Sequence, residues 1–258
     1  LDQAGLPDRT AQAILDFTYH FDSLLQLADY KELSNLLPIR ERWRLLPLLL
    51  DQAVAVDLET DGAWNAGSVT CLSVRSQAQA ACWVRGSDPT PALEMLERAQ
   101  VLLTFAGTRF DLPLLHACWP SLRLPGLHVD LAPLTRKLGI SGGLKGLEVQ
   151  AGWCRAPHVA ALRGPDAIRL WQEWRLGRRE SLALLCEYNL EDVWCLPKLA
   201  AWVHDGLAAK AARATAGQAV PVPLTPAWVE RPEAGPTILR ALARALDLAV
   251  PPGDLPVT

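Results

Sequence analysis

The stretch Ala53-Val54-Ala55-Val56-Asp57-Leu58-Glu59-Thr60-Asp61-Gly62 constrains the fold more tightly than any other part of the sequence. It predicts a buried strand over 53–58 that ends by presenting two carboxylates one residue apart. Successive strand side chains point to opposite faces, so Asp57 and Glu59 share a face and Leu58 takes the other. Two anions side by side are unfavourable unless protons or a cation compensate them. A divalent metal ion is the simplest compensation, and an ordinary turn or surface acid pair is the alternative this stretch leaves open. Asp61 with Gly62 fits turn chemistry.

Around this strand the pattern is that of an α/β domain. Residues 8–37 predict helix, with Ile14, Phe17, Phe21, Leu24, Leu25 and Leu27 at helical spacing after Asp8 or Thr10 as the candidate cap. Pro38 to Pro47, with Arg40, Arg42, Trp43 and Arg44, suggests an extended basic lead-in. Further strands are expected at 68–74, 79–85 and 101–105, and a fifth around His128-Val129-Asp130-Leu131. Helices are expected at 89–99, from Gly107 to Trp119, and at 131–138, 144–151, 165–176 and 179–203, the last kinked or broken at Pro197. Three consecutive strands followed by alternating helices and strands indicate a mixed sheet flanked by helices. After Leu207 the sequence becomes Ala- and Pro-rich, a semi-rigid linker leading to a short amphipathic helix at 237–247. The expected division is a helical N-terminal segment at 1–37, an α/β domain at 38–207 and a linker with a short helix at 208–258.

Composition narrows the function classes. Half of the 258 residues are hydrophobic, enough for a sizeable core. The net charge of −3 gives no whole-chain signal for nucleic acid or an anionic membrane. Locally the balance differs: from Arg136 to Arg179 there are nine Lys/Arg against three Asp/Glu, a stripe that fits a phosphate backbone or a solvated face. The six cysteines show no C-x-x-C pairing, which argues against a zinc ribbon or disulfide framework and for a reducing compartment. No apolar run approaches the roughly 20 residues of a membrane span. No secretory leader is recognisable, so the cytoplasm is the expected location. The chain starts at Leu1 rather than Met, as a piece of a longer protein would.

Two more acids fall where strand and helix would carry them towards Asp57 and Glu59. Asp111 follows the fourth strand in Phe105-Ala106-Gly107-Thr108-Arg109-Phe110-Asp111. Asp192 lies in the last long helix, four residues after Tyr188 and on the same helix face. Taken singly, Asp111 is an ordinary helix-start acid and Tyr188 with Asp192 an ordinary helix face. Taken together with Asp57 and Glu59, they make an all-oxygen ligand set that suits Mg²⁺ or Mn²⁺ rather than zinc.

In these motifs the chain resembles 3′–5′ exonucleases of the DEDD group, tyrosine variant (DEDDy), within the ribonuclease-H-like superfamily. Asp57-Leu58-Glu59 resembles the first motif, Phe110-Asp111 the second, and Tyr188-x-x-x-Asp192 the third. Arg42-Trp43-Arg44-Leu45, His128-Val129-Asp130-Leu131, Gly142-Gly143-Leu144-Lys145 and Asp166-Ala167-Ile168-Arg169-Leu170-Trp171 are similar to bacterial YprB-type domains, themselves related to the exonuclease domain of family B DNA polymerases. The likeness covers Leu36 to Leu207.

It implies a ribonuclease-H-like fold with a mixed five-stranded sheet. It also implies two divalent cations held by Asp57, Glu59, Asp111 and Asp192, with Tyr188 positioning the attacking water. Gly107, Arg109, Lys145 and the cluster from Arg175 to Arg179 are candidate contacts to a DNA or RNA strand, expected to enter by a single-stranded 3′ end. Residues 208–258 are a candidate surface for a protein partner. One departure stands out: the family's usual Phe-Asn-Gly is here Phe105-Ala106-Gly107. An endonuclease of the same fold and a catalytically weak nucleic-acid-binding domain are the competing readings.

Overall fold

The computed structural model describes residues 7–214 and 223–224. Helices α1 (Asp8–Gln26) and α2 (Tyr30–Leu36) precede strands β1 (Ala53–Thr60), β2 (Val69–Arg75) and β3 (Ala80–Val84). Then come α4 (Thr90–Glu97), β4 (Val101–Thr104), α5 (Asp111–Cys118), β5 (Leu127–Asp130), α6 (Leu131–Lys137) and α7 (Leu144–Gln150). Short α8 (Pro157–Ala160), α9 (Gly164–Arg175) and long α10 (Arg179–Ala214) complete the described chain, and α3 (Leu46–Leu49) lies ahead of β1. The strands form one mixed sheet in the order β3-β2-β1-β4-β5. β1 pairs antiparallel with β2 and parallel with β4, so the expected five-stranded mixed sheet is present.

The period-two pattern of β1 divides the core. Val54, Val56 and Leu58 pack with residues of α4 and α5 on one face. Ala53 and Ala55 pack on the other face with α10, which lies across the sheet. Asp57 and Glu59 continue that second set and therefore emerge under α10. A third cluster joins Cys71 and Val84 to Trp171 and Trp174 of α9 and to the first turns of α10.

Three expected elements differ. The 8–37 helix is broken where Ala28 takes a positive φ of 53° and Asp29 caps α2 by accepting the Glu32 N–H at 3.1 Å. Leu24 and Leu33 reach the main core, whereas Ile14, Phe17 and Leu27 stay exposed. The lead-in at 38–47 is not extended. It forms a 3-10 helix (Ile39–Leu45) running into α3, because Trp43, Leu46, Leu49 and Leu50 recur at helical spacing and are all buried. Pro47 fits there because it sits in a first turn, where its missing N–H is not needed.

The last helix does not end at 203 but continues to Ala214, through Pro197. A proline inside a helix removes the donor to the carbonyl four residues back and crowds it, here Val193. The next carbonyl, that of Trp194, accepts from Nη1 of buried Arg75 at 3.1 Å, while the guanidinium lies 3.8 Å from the Trp194 ring centroid. Burial lowers the Arg75 pKa to about 10, so it remains charged at neutral pH. The expected helix at 237–247 lies outside the described residues. No helix among the described residues is long and apolar enough to cross a membrane. Arg75 thus ties β2 to the interrupted turn of α10. Replacing it by Ala is expected to destabilise the protein by about 2–4 kcal/mol, seen as a lower urea midpoint with little change in slope.

Candidate metal centre and active site

Asp57 and Glu59 leave the end of β1 towards α10, where Asp192 meets them. One carboxylate oxygen from each of the three lies within 4.8 Å of the others. Asn189, fully buried one helical turn before Asp192, donates from Nδ2 to Asp57 Oδ2 at 2.7 Å. Its own Oδ1 accepts from the Cys71 thiol at 3.3 Å. On the far side of Asp192, Nη2 of Arg155 lies 2.5 Å from Asp192 Oδ1 and 2.5 Å from Glu148 Oε1, while Arg155 Nε donates to Glu148 Oε2 at 2.6 Å. The contact with Asp192 is an ion pair that lacks hydrogen-bond alignment, so Asp192 Oδ1 is buried without a hydrogen-bond partner among the described residues.

Tyr188 is buried one turn before Asp192. Lys145 places Nζ 3.6 Å from its ring centroid and donates to the Leu162 carbonyl at 2.7 Å. Tyr188, Asp192, Lys145, Arg155 and Trp153 line a cavity of about 920 Å³. The tyrosine is held well above its ordinary pKa by burial and by the nearby Asp192, Glu59 and Asp57, so it keeps its proton. Burial lowers the Lys145 pKa, against the pull of Asp192 and Glu59.

Asp111 is the first residue of α5 and is buried, but it stands outside the close trio. The parallel ladder between β1 and β4 ends at Ala55 and Leu103, leaving the next part of the β1 edge without a partner strand. Asp111 Oδ1 fills that gap by accepting the Leu58 N–H at 3.1 Å. It acts on Asp57 and Glu59 through its charge, raising both pKa values.

The turn from β4 to α5 is held by Asp130, whose oxygens accept from the backbone N–H groups of Ala106 (2.8 Å), Thr108 (3.1 Å) and Ala132 (3.1 Å). Ala106 is left-handed, with φ of 66°. Asn tolerates that conformation far better than Ala, which gives a backbone reason for Asn at this place in the exonuclease motif that the segment resembles. Gly107 is buried, and a Cβ on it would fall 2.4 Å from the Thr104 side chain, so close packing demands glycine. Arg109 is solvent-exposed.

Much of the basic stripe is compensated within the fold. Lys137 pairs with Glu41, Arg155 with Glu148 and Asp192, and Arg169 with Asp166 and Glu173. Arg178 lies 3.6 Å from Glu173.

The trio fits a divalent cation. Burial, reinforced by mutual repulsion, raises the pKa values of Asp57 and Glu59 well above the ordinary carboxylate range. Asp192 is raised mainly by burial, with Arg155 and Lys145 opposing. Asp111 is raised to about 7, chiefly by burial, with the Leu58 hydrogen bond opposing. Such a set needs positive charge, and its donors are all hard oxygens, as Mg²⁺ and Mn²⁺ prefer.

The RNase_H superfamily model matches residues 54–204, more than half of the chain, which therefore belongs to that superfamily. The sheet and its flanking helices are accordingly a ribonuclease-H-like fold. No curated protein matches the chain. Among solved structures it is similar to Escherichia coli RNase D, described as an exoribonuclease involved in structured RNA processing, with a TM-score of 0.45 and 16% identity. The alignment covers 82% of this chain and 49% of that one, so this chain spans about half the length of that structure.

The structure brings Asp57, Glu59, Asp192, Tyr188 and Lys145 into one site, keeps Asp111 beside it and leaves Arg109 exposed. Asn189, Arg155 and Glu148 were not expected from the sequence. Asn189 adjoins Tyr188 in the third motif and was open to discovery there, whereas Arg155 and Glu148 carry no local signal.

Two predictions follow from the charge and the strain. An acid whose pKa is raised on folding stabilises the fold below its ordinary pKa, and this contribution is lost as the pH rises through the folded value. For Asp111 that window runs from 3.8 to about 7. The melting temperature of chelator-treated protein should fall across this window. Mg²⁺ or Mn²⁺ should restore it most at the upper end, and Asp57→Asn should flatten the fall. Superimposable profiles for wild type and Asp57→Asn would refute the assignment. Separately, Ala106→Asn should stabilise the fold by about 0.5–1 kcal/mol by relieving the left-handed alanine, and Gly107→Ala should destabilise it, both read by urea unfolding.

Proposed function

We propose that the protein is a divalent-metal-dependent 3′–5′ exonuclease of the DEDD type, tyrosine variant, that hydrolyses phosphodiester bonds of DNA or RNA. One observation carries the reading: the Asp57, Glu59 and Asp192 oxygens converge within 4.8 Å, and Tyr188 lines the same cavity as Asp192 one helical turn away. Membership of the RNase_H superfamily supports it. The closer affinity to YprB-type domains and to family B polymerase exonuclease domains rests on the sequence motifs. Residues 38–207 are the proposed catalytic unit, with 1–37 and 208–258 as flanking segments and the latter open to a protein partner. The free thiols described in the chain fit the cytoplasm.

Asp57, Glu59 and Asp192 would hold the metal, with Asp111 adding negative charge from the β1 edge. Two such ions, when bound, supply an activated water and stabilise the departing 3′ oxygen. Asn189 fixes the orientation of Asp57, and Arg155 that of Asp192. Because Tyr188 keeps its proton, its role is to orient the attacking water by a hydrogen bond rather than to act as the base. Lys145 and Arg163 give the cavity positive charge for the phosphate, while Trp153 offers a stacking face for the terminal base.

A second reading, binding without turnover, is favoured by Arg155. Its guanidinium already compensates Asp192 and takes part of the charge that a cation would otherwise neutralise.

Linear, circular and 3′-blocked DNA and RNA incubated with Mg²⁺ or Mn²⁺ separate the possibilities. Only free 3′ ends should be shortened, stepwise. Asp57→Ala and Asp192→Ala should lose more than the ~10–100-fold typical of outer-shell changes at metal sites, and Tyr188→Phe on the order of 10²-fold. Cleavage of circles would establish the endonuclease, and binding without product in either metal would establish the non-catalytic reading.

A further inference from the structure

A second group of ligating side chains lies behind the carboxylates and has no part in the proposed reaction. In the β2–β3 ladder Cys71 stands opposite Val84, and Cys82 stands opposite Ser73, so all four side chains share one face of the sheet. α10 crosses that face and adds Cys186. The Cys71 and Cys82 sulfurs are 3.5 Å apart, and the three sulfurs lie within 4.8 Å of one another. Cys71 and Cys186 are buried, while Cys82 is half-buried and offers a way in.

We propose that Cys71, Cys82 and Cys186 form a thiolate site for one thiophilic d¹⁰ metal ion of the zinc class. Tetrahedral zinc with Zn–S bonds of about 2.3 Å places its sulfurs roughly 3.8 Å apart, a spacing these three reach by small side-chain rotations. On the helix side the packing around the sulfurs is mostly apolar, while in the β1–β2 ladder Glu59 stands opposite Cys71 and Asp57 opposite Ser73. Asn189 Oδ1 accepts from Cys71. The hydroxyl of Ser73, which is completely buried, forms no well-aligned hydrogen bond among the described residues and faces the Cys82 sulfur. A neutral oxygen, from Ser73 or from water entering beside Cys82, completes a tetrahedron.

A disulfide is the poorer use of the pair. Cys71 and Cys82 are diagonal in the ladder, where Cα atoms are typically about 7–8 Å apart, beyond the ~4.4–6.8 Å that a disulfide spans. Soft sulfur ligands also keep this site chemically apart from the hard carboxylate trio. The two nonetheless adjoin across the β1–β2 ladder and meet at Asn189. Metal binding releases the Cys71 proton, and with it the hydrogen bond to the amide that orients Asp57. The thiolate site itself stands whether or not the protein is a nuclease.

The test is titration of the reduced full chain with Cd²⁺ under anaerobic conditions, with excess Mg²⁺ present to occupy the carboxylates. Sulfur-to-cadmium charge-transfer absorption should rise to saturation at one equivalent and be reversed by competing Zn²⁺. Cys186→Ala and Cys82→Ser should remove the saturable absorption, while Asp57→Asn and replacement of exposed Cys154 by Ser should retain it. The wild-type stoichiometry stands even if a cysteine variant misfolds. The proposal is overturned if folded wild type gives no saturable absorption. It is equally overturned if folded Cys186→Ala retains it, or if mild peroxide treatment yields a Cys71–Cys82 disulfide that Zn²⁺ does not prevent.

Discussion

The site is organised by a concentration of negative charge that the fold alone does not neutralise. Asp57, Glu59 and Asp192 bring oxygens within 4.8 Å of one another, and Asp111 adds its charge from the β1 edge. Burial and mutual repulsion both favour protonation, so the fold is stabilised at neutral pH by anything positive that enters. The protein supplies only partial compensation. Arg155 shares its charge between Glu148 and Asp192, and Lys145 stands over Tyr188 with its ammonium bonded to a carbonyl. Burial acts against Arg155, but the Glu148 hydrogen bonds and the charges of Asp192 and Glu148 outweigh it and raise its pKa. Both cations are already engaged with protein acceptors, so the trio still calls for further positive charge of the kind a divalent ion supplies.

What the sequence made legible was local. The alternation in 53–59 placed Asp57 and Glu59 on one face, and the four-residue spacing of Tyr188 and Asp192 placed both on one side of a helix. The strand and helix pattern gave the mixed sheet and most of its connections. The misses have a common physical origin in contacts between elements distant in the chain. The basic stripe was visible as composition, but its pairing with Glu41, Glu148 and Glu173 depends on packing. Arg155 has no motif of its own. The lead-in to β1 reads locally as extended because its prolines and arginines mask the helical spacing of Trp43, Leu46 and Leu49, which only burial against the core brings out.

Ala106 shows how a motif departure can be read from the backbone. The residue adopts a conformation that an alanine pays for in strain, and Asp130 enforces it with three backbone hydrogen bonds spread over the turn and the start of α6. The turn must be tight because Gly107 packs against Thr104 and because α5 has to begin at Asp111, whose carboxylate holds the β1 edge. The position of Asp111 beside the trio is therefore set by the turn, independently of the side chain at 106. What the alanine changes is the stability of that turn.

α10 makes the arrangement a single mechanical unit. Cys186, Asn189 and Asp192 recur every three residues along it, so the thiol cluster, the amide that holds Asp57 and the carboxylate of the trio lie along one helical surface. A helix interrupted by proline would be a poor spine for such a set, since the turn around Val193 directly follows Asp192. Arg75 answers that weakness from the neighbouring strand, donating to the Trp194 carbonyl and stacking on its ring. Because Arg75 and Cys71 both belong to β2, one strand braces the helix on either side of the carboxylate. Asp192 then keeps its place opposite Asp57 and Glu59 even though their charges push it away.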